Sequence, residues 1–163
     1  MASYGTADIR NIALVGHQSS GKTSLGDAIL HVTGTSSRLG DVNAKTSHLD
    51  YMEEEKTRGC SIDSSLLTVT VKGKQLNVVD TPGAPDFSGP AIGALAGVET
   101  AVCVISATAG VEVNTRRMME RAKTYGLGRM IVINKIDANL DLEGVISNIQ
   151  EMFGVECQPM NLP

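Results

Sequence analysis

Gly16-His17-Gln18-Ser19-Ser20-Gly21-Lys22-Thr23 follows an apolar run, Ile12-Ala13-Leu14-Val15, and opens a segment of helical character from Leu25 to Val32. A G-x-x-x-x-G-K-T pattern between a strand and a helix is the context of a loop that cradles phosphates. Gly16 and Gly21 permit a tight backbone that aims successive N–H groups at a triphosphate, at the positive end of a helix dipole. Lys22 is expected to reach the β- and γ-phosphates, and the Thr23 hydroxyl to ligate Mg²⁺. His17, Gln18, Ser19, Ser20, Gly21, Lys22, Thr23 and Ser24 are the candidate nucleotide-binding residues of this stretch. A chance loop can carry the same pattern, so the rest of the chain has to decide.

Working outward, Ile9 to Val15 reads as a buried first strand and Thr23 to Val32 as a helix, broken by Thr33-Gly34-Thr35-Ser36-Ser37. From there to Ser61 the chain is polar, with the run Glu53-Glu54-Glu55-Lys56; a solvated loop or a short exposed helix is expected. Leu67, Val69 and Val71 alternate with Leu66, Thr68 and Thr70, a strand period; Lys72-Gly73-Lys74 is a hairpin turn and Leu76 to Val79 the returning strand. Pro90 to Gly97 fits a helix of small residues, and Ala101 to Ser106 a central parallel strand. In Val113 to Tyr125 the charged residues oppose Met118, Met119, Ala122 and Tyr125, an amphipathic helix whose methionines are expected in the core. Met130 to Ile133 is the next strand, and Leu142, Val145, Ile146, Ile149 and Phe153 mark a helix that stops at Gly154. The alternation predicts an α/β fold of the P-loop nucleotide-hydrolase type: a mostly parallel sheet with one antiparallel edge strand and helices on both faces.

The 163 residues, 42% hydrophobic and 20% charged, fit one domain with an adequate core. Without Trp and with 3% aromatic residues, that core must rest on aliphatic side chains and Met. The net charge of -4 argues against broad electrostatic binding to a nucleic-acid backbone by this domain alone, though not against docking on a ribonucleoprotein, and no direct sequence-specific nucleic-acid binding is expected. Cys60, Cys103 and Cys157 have no metal-type spacing and are odd in number, which suggests free thiols in a reducing compartment. Met1 to Arg10 carries no apolar signal core and no run approaches a membrane span, so a cytoplasmic protein is expected.

Two further strand ends carry chemistry. In such a sheet, ligands sit outside the carboxyl ends of the strands. The third predicted strand delivers Asp80-Thr81-Pro82-Gly83 there. Asp80 suits a water-mediated Mg²⁺ contact, and the Gly83 N–H can meet a γ-phosphate because no side chain blocks it. The strand at Met130 to Ile133 delivers Asn134-Lys135-Ile136-Asp137. A carboxylate such as Asp137 accepts two hydrogen bonds from the N1–H and exocyclic amine of guanine; adenine offers no such pair, so GTP is favoured over ATP.

With these three motifs in order, the chain resembles the GTP-binding domain of the translational GTPases, most of all elongation factor G and its paralogues. Asp50-Tyr51-Met52-Glu53-Glu54-Glu55-Lys56-Thr57-Arg58-Gly59-Cys60-Ser61-Ile62 resembles that family's first switch. Asp80-Thr81-Pro82-Gly83-Ala84-Pro85-Asp86-Phe87 resembles its second, and Pro159-Met160-Asn161-Leu162-Pro163 the segment before its domain insertion. Release factor 3 and ribosomal-protection proteins share much of this pattern. The resemblance implies GTP and GDP as ligands, Mg²⁺ held by Thr23, Ser61 and Asp80, and a ribosome as partner. It also implies a monomer, and catalysis involving Lys22, Gly83 and position 84. Three departures stand out. Ala84 replaces the histidine that usually orients the attacking water, a loss of about 10²–10⁴-fold in rate for a group in that role. Ser61 replaces the Thr that closes the first switch on Mg²⁺, and its hydroxyl can still coordinate. Ser19 replaces an Asp associated with a monovalent cation beside the phosphates.

Against the family pattern, residues 1–163 read as a G domain without its last strand and downstream domains, expected to hold guanine nucleotides more weakly than a longer chain. Two functional expectations follow: a ribosome-dependent GTPase, favoured by Lys22, Thr23, Asp80, Gly83 and the Asn134–Asp137 element, or a GTP-dependent switch of little turnover, favoured by Ala84. Cys60, beside Ser61, is either a redox-sensitive thiol or a small apolar filler.

Overall fold

The computed structural model describes residues 4–137 and 141–161. In chain order it holds β1 (Ile9–Val15), α1 (Lys22–Val32), α2 (Glu53–Arg58), β2 (Ser65–Val71), β3 (Lys74–Asp80), α3 (Ser88–Ala96), β4 (Thr100–Ser106), α4 (Val113–Thr124), β5 (Gly128–Asn134) and α5 (Leu142–Phe153). The strands form one sheet in the order β2-β3-β1-β4-β5. β3, β1, β4 and β5 run parallel, and β2 pairs antiparallel to β3 at the edge. The α/β architecture anticipated above is the one observed.

Alternation along the strands divides the core between the two faces. Ala13 and Val15 of β1 join Ala101, Cys103 and Ile105 of β4 beneath Leu95 of α3, Met118 and Met119 of α4 and Ile149 of α5. Leu14, Val78 and Val102 point to the other face, where Leu30 of α1 and Leu49 cover them with Leu67 and Val69 of β2. The methionines are indeed core residues, 2% and 3% exposed. The β2–β3 hairpin turns on Lys72 and Gly73 with φ of 49° and 76°, the paired left-handed conformations that a two-residue connection of right-twisted strands requires.

Several boundaries differ from expectation by a residue or two, and three of them bear on the site or have a plain local reason. α3 begins at Ser88, two residues before Pro90, because a proline in the first turn lacks only an N–H that the helix would leave unpaired. β3 and β5 run on to Asp80 and Asn134, which stay in register with Leu14 and Ser106. Those two residues are therefore strand residues held by the ladder, not loop residues. The acidic run forms the short helix α2 with Glu53 and Glu54 exposed, yet Glu55 is completely buried. Its carboxylate collects three backbone N–H donors, which offsets its desolvation. Leu162 and Pro163, the end of the closing motif, lie outside the described residues. Among the described residues no helix is long and apolar enough to cross a membrane.

Candidate functional site

The phosphate loop leaves β1 at the carboxyl edge of the sheet and is closely fitted to its neighbours. Gly16 has φ +140°, and a Cβ there would strike the carbonyl oxygen of Val104 in β4. Gly21 has φ +96°, and its Cβ would strike the Asn134 side-chain amide at the end of β5. The same Asn134 amide donates to the Ser20 carbonyl at 3.0 Å. The guanine-type motif and the phosphate loop are therefore physically joined, two motifs far apart in the chain making one surface. Ser19, at the place of the expected acid, takes φ 60°, a left-handed conformation that costs an L-residue about 1 kcal/mol.

Lys22 is buried, and its ammonium donates to the carbonyls of His17 at 2.8 Å and Gly16 at 3.2 Å, so its charge lies within the loop. Burial holds its pKa below the ordinary lysine value, with Asp80 opposing that shift. Thr23, one residue on, donates its hydroxyl to Asp80 at 2.7 Å and stands 3.2 Å from the Ser61 hydroxyl. Ser61 in turn donates to Asp50 at 3.2 Å. Desolvation raises the Asp80 carboxyl to about 6 against the lowering influence of Thr23 and Lys22, and burial likewise raises Asp50. The three residues expected at Mg²⁺ are thus assembled from α1, β3 and the segment after α2.

The second motif folds over this cluster. Thr81 donates to the Leu14 carbonyl at 2.7 Å, and the Asn114 amide of α4 donates to the Gly83 carbonyl at 2.9 Å. A Cβ on Gly83 would stand 2.5 Å from the Lys22 ammonium and 2.7 Å from the Gln18 nitrogen, so only glycine permits this approach. Ala84 follows, half-buried, and offers only a methyl group beside the loop. His17 is buried and faces away from the cleft, with Nδ1 3.3 Å from the Thr115 hydroxyl and Nε2 3.8 Å from the Glu112 carboxylate. Burial lowers the pKa of this imidazole, against the raising effect of Glu112.

The cleft between these parts is lined by Gln18, Ser19, Gly21 to Ser24, Asp50, Cys60, Ser61, Gly83 and Lys135, among others. His17 and Ser20, expected among the nucleotide-binding residues, do not line it. Asn134 acts at its wall through Ser20, while Asp137 is exposed at the last described position of the turn after β5. A hard divalent cation fits the donor set. Among the described residues Asp80 Oδ1 is buried without a hydrogen-bond partner, while Oδ2 accepts from the Thr23 hydroxyl, which stands 3.2 Å from that of Ser61. No group of three His, Cys, Asp or Glu side chains suited to a metal occurs among the described residues. An ion here would have to complete its shell from hydroxyls, water and phosphate, as Mg²⁺ does beside nucleotides. Asp50, Glu55 and Asn114 are functional candidates that motif reading left without a role. The first two lay inside the quoted switch stretch, while Asn114 had no sequence signal.

Comparison with known proteins places this geometry. Residues 7–161 match the family model for the elongation factor Tu GTP binding domain. The crystal structure of a protein from Thermus thermophilus superposes with a TM-score of 0.88 at 36% identity, over 91% of this chain and 22% of the other. A bacterial selenocysteine-specific elongation factor superposes with a TM-score of 0.68 at 23% identity, over 89% of this chain and 24% of the other, a likeness of fold. The chain spans about a quarter or less of the length of these solved relatives.

Proposed function

The chain belongs to the elongation factor Tu GTP binding domain family of translational GTPases, and from that premise we propose that it is the nucleotide switch of an elongation factor G-like protein. It binds GTP and GDP with Mg²⁺ and hydrolyses GTP when docked on a ribosome in the cytoplasm. The observation that carries this reading is the convergence of Lys22, Thr23 and Ser61 on one cleft, with Asp80 accepting from Thr23 behind it and Gly83 packed against Lys22.

In this reading the loop N–H groups and Lys22 hold the β- and γ-phosphates. Mg²⁺, held by Thr23 and Ser61 with Asp80 behind, would neutralise developing charge on the phosphates. Asn134 keeps the loop in shape, and Asp137 selects guanine over adenine by its two acceptor oxygens. The Gly83 N–H marks the γ-phosphate and couples it to the second switch, whose carbonyl is tied to Asn114.

Ala84 favours a second reading, a GTP-dependent switch that changes partners with little turnover. Single-turnover γ-phosphate release by the protein, with and without ribosomes, separates the two. Fast, ribosome-stimulated release supports the enzyme, with the water oriented by a group other than residue 84. Slow release that rises about 10²-fold or more in an Ala84→His variant supports the switch. Absence of guanine-nucleotide binding would refute both.

A further inference from the structure

Asp50 and Ser61 meet at 3.2 Å although eleven positions separate them, and α2 lies between them. The connection runs through one side chain. Glu55 Oε2 accepts the N–H of Met52, two residues after Asp50, at 3.1 Å. Its Oε1 accepts the N–H groups of Ile62 at 2.9 Å and Asp63 at 3.3 Å, the two residues after Ser61. One carboxylate therefore ties the incoming and outgoing strands of the segment that carries Asp50 and Ser61. The side chain is completely buried and makes no ion pair among the described residues. Its three donors are backbone groups, present whatever side chains surround them. A neutral or shorter side chain cannot make both sets of bonds: an amide presents a donor where one set needs an acceptor.

We propose that Glu55 is a positioning residue that holds Ser61 against Thr23, so that the first switch can close on the nucleotide–Mg²⁺ group. The inference rests on the functional reading above. Ser61 lines the cleft and stands against Thr23, and among the described residues the hydrogen bonds of the Glu55 carboxylate go to Met52, Ile62 and Asp63, none of them in the phosphate loop or the Asn134–Asp137 element. Loss of the clamp therefore acts on the triphosphate state, where the first switch is ordered, and spares the diphosphate state. A carboxylate serving stability alone would weaken both states alike.

The test is calorimetric titration of the full chain with a non-hydrolysable GTP analogue and with GDP, each in Mg²⁺, for the unmodified protein, Glu55→Gln, Ser61→Ala and the double variant. Glu55→Gln is expected to weaken the analogue about tenfold or more, because hydrogen bonds to a charged group are lost, and GDP less than about twofold. The double variant should be no weaker than the worse single variant by more than about twofold, since both act through one contact. Equal losses for both nucleotides, fully additive losses, or no loss would each overturn the clamp. Hydrogen exchange of the Ile62 and Asp63 amides in the unmodified protein gives a readout independent of any variant's folding. Slower exchange with the analogue than with GDP supports the proposal, and identical exchange overturns it. If the unmodified protein binds neither nucleotide, the functional reading falls and the clamp with it; if it binds both and Glu55→Gln behaves as the parent, only the clamp falls.

Discussion

Replacing Asp80 by Asn should make the nucleotide-free, metal-free protein more stable at pH 8, although it removes a residue at the centre of the site. Asp80 is 2% exposed, one of its oxygens has no partner, and its carboxyl is raised to about 6 by desolvation. A carboxylate ordinarily titrating near 3.8 and moved to about 6 carries, once ionised, a folding penalty of about 3 kcal/mol. The sign follows from the direction. A raised carboxyl leaves the fold unpenalised below about pH 4; the penalty grows as pH climbs through 4 to 6 and is complete near 7. Asn keeps a carbonyl oxygen for the Thr23 hydroxyl but places an NH₂ where the partnerless oxygen was, a cost of about 1 kcal/mol. The net gain at pH 8 is about 2 kcal/mol, or roughly 4–8 °C in melting temperature for a domain of this size. Thermal unfolding followed by circular dichroism in EDTA, from pH 4 to 8, reads it directly. The variant should melt above the parent at pH 8 and slightly below it at pH 4. With Mg²⁺ and a GTP analogue the order at pH 8 should reverse, because a cation restores the value of the charge. A parent as stable as the variant at pH 8 in EDTA would refute the argument that this carboxylate is held under strain for a ligand.

Other substitutions separate the parts of the site. Gly16→Ala must accommodate a Cβ against the Val104 carbonyl, so it should lower stability by about 2–4 kcal/mol in chemical denaturation, whereas Gly34→Ala, left-handed but in open space, should cost only about 1. Asn134→Ala should weaken GTP and ATP together by releasing the Ser20 carbonyl, while Asp137→Ala should weaken GTP about tenfold or more and leave ATP unchanged in competition binding. Cys103 is buried with its thiol pushed up to about 12, so alkylation at pH 8 read by mass spectrometry should spare it. Cys60, half-buried in the cleft, should react, and bound GTP analogue should slow it; unchanged GTP affinity after its modification would leave it as an apolar filler.

Much of this arrangement was legible in the sequence because its signals are local. The phosphate loop is written in contiguous residues, and the strand and helix periods of Ile9–Val15, Ser65–Val71 and Val113–Thr124 need no partner to be recognised. The antiparallel edge could be read from Lys72-Gly73, whose conformations only a tight hairpin uses. What escaped depends on contacts between distant segments. Asn114 lies in the first turn of a helix with no motif, and its bond to Gly83 exists only because α4 packs beside the second switch. Glu55 sits in an acidic run whose neighbours are indeed exposed, and its burial follows from where residues 62 and 63 return. Composition cannot distinguish one buried glutamate from two solvated ones. Likewise Gly16 and Gly21 announce a tight loop, but not that Val104 and Asn134 are the walls that demand it.

The way the first switch is attached fits a segment that must let go. The stretch around it is joined to the rest of the domain by polar anchors, the His48 N–H on Asp27 at 3.0 Å, the Ser65 hydroxyl on the Leu49 carbonyl and Ser61 against Thr23, while the Glu55 carboxylate and the Ser61–Asp50 bond tie the segment to itself. Among the described residues Leu49, immediately before it, is the side chain that anchors this stretch in the hydrophobic core. A hydrogen bond exchanged with water contributes only about 0.5–1.5 kcal/mol net, and somewhat more when one partner is charged. A segment held by a few of these, and by a single buried leucine, lies within a few kcal/mol of release. An apolar attachment of the same length would be lost only with the core itself. The free energy of one γ-phosphate and its cation, acting through Thr23 and Ser61, is then comparable with what fixes the segment. If the proposed reading holds, that near balance would let nucleotide state decide whether the switch is closed.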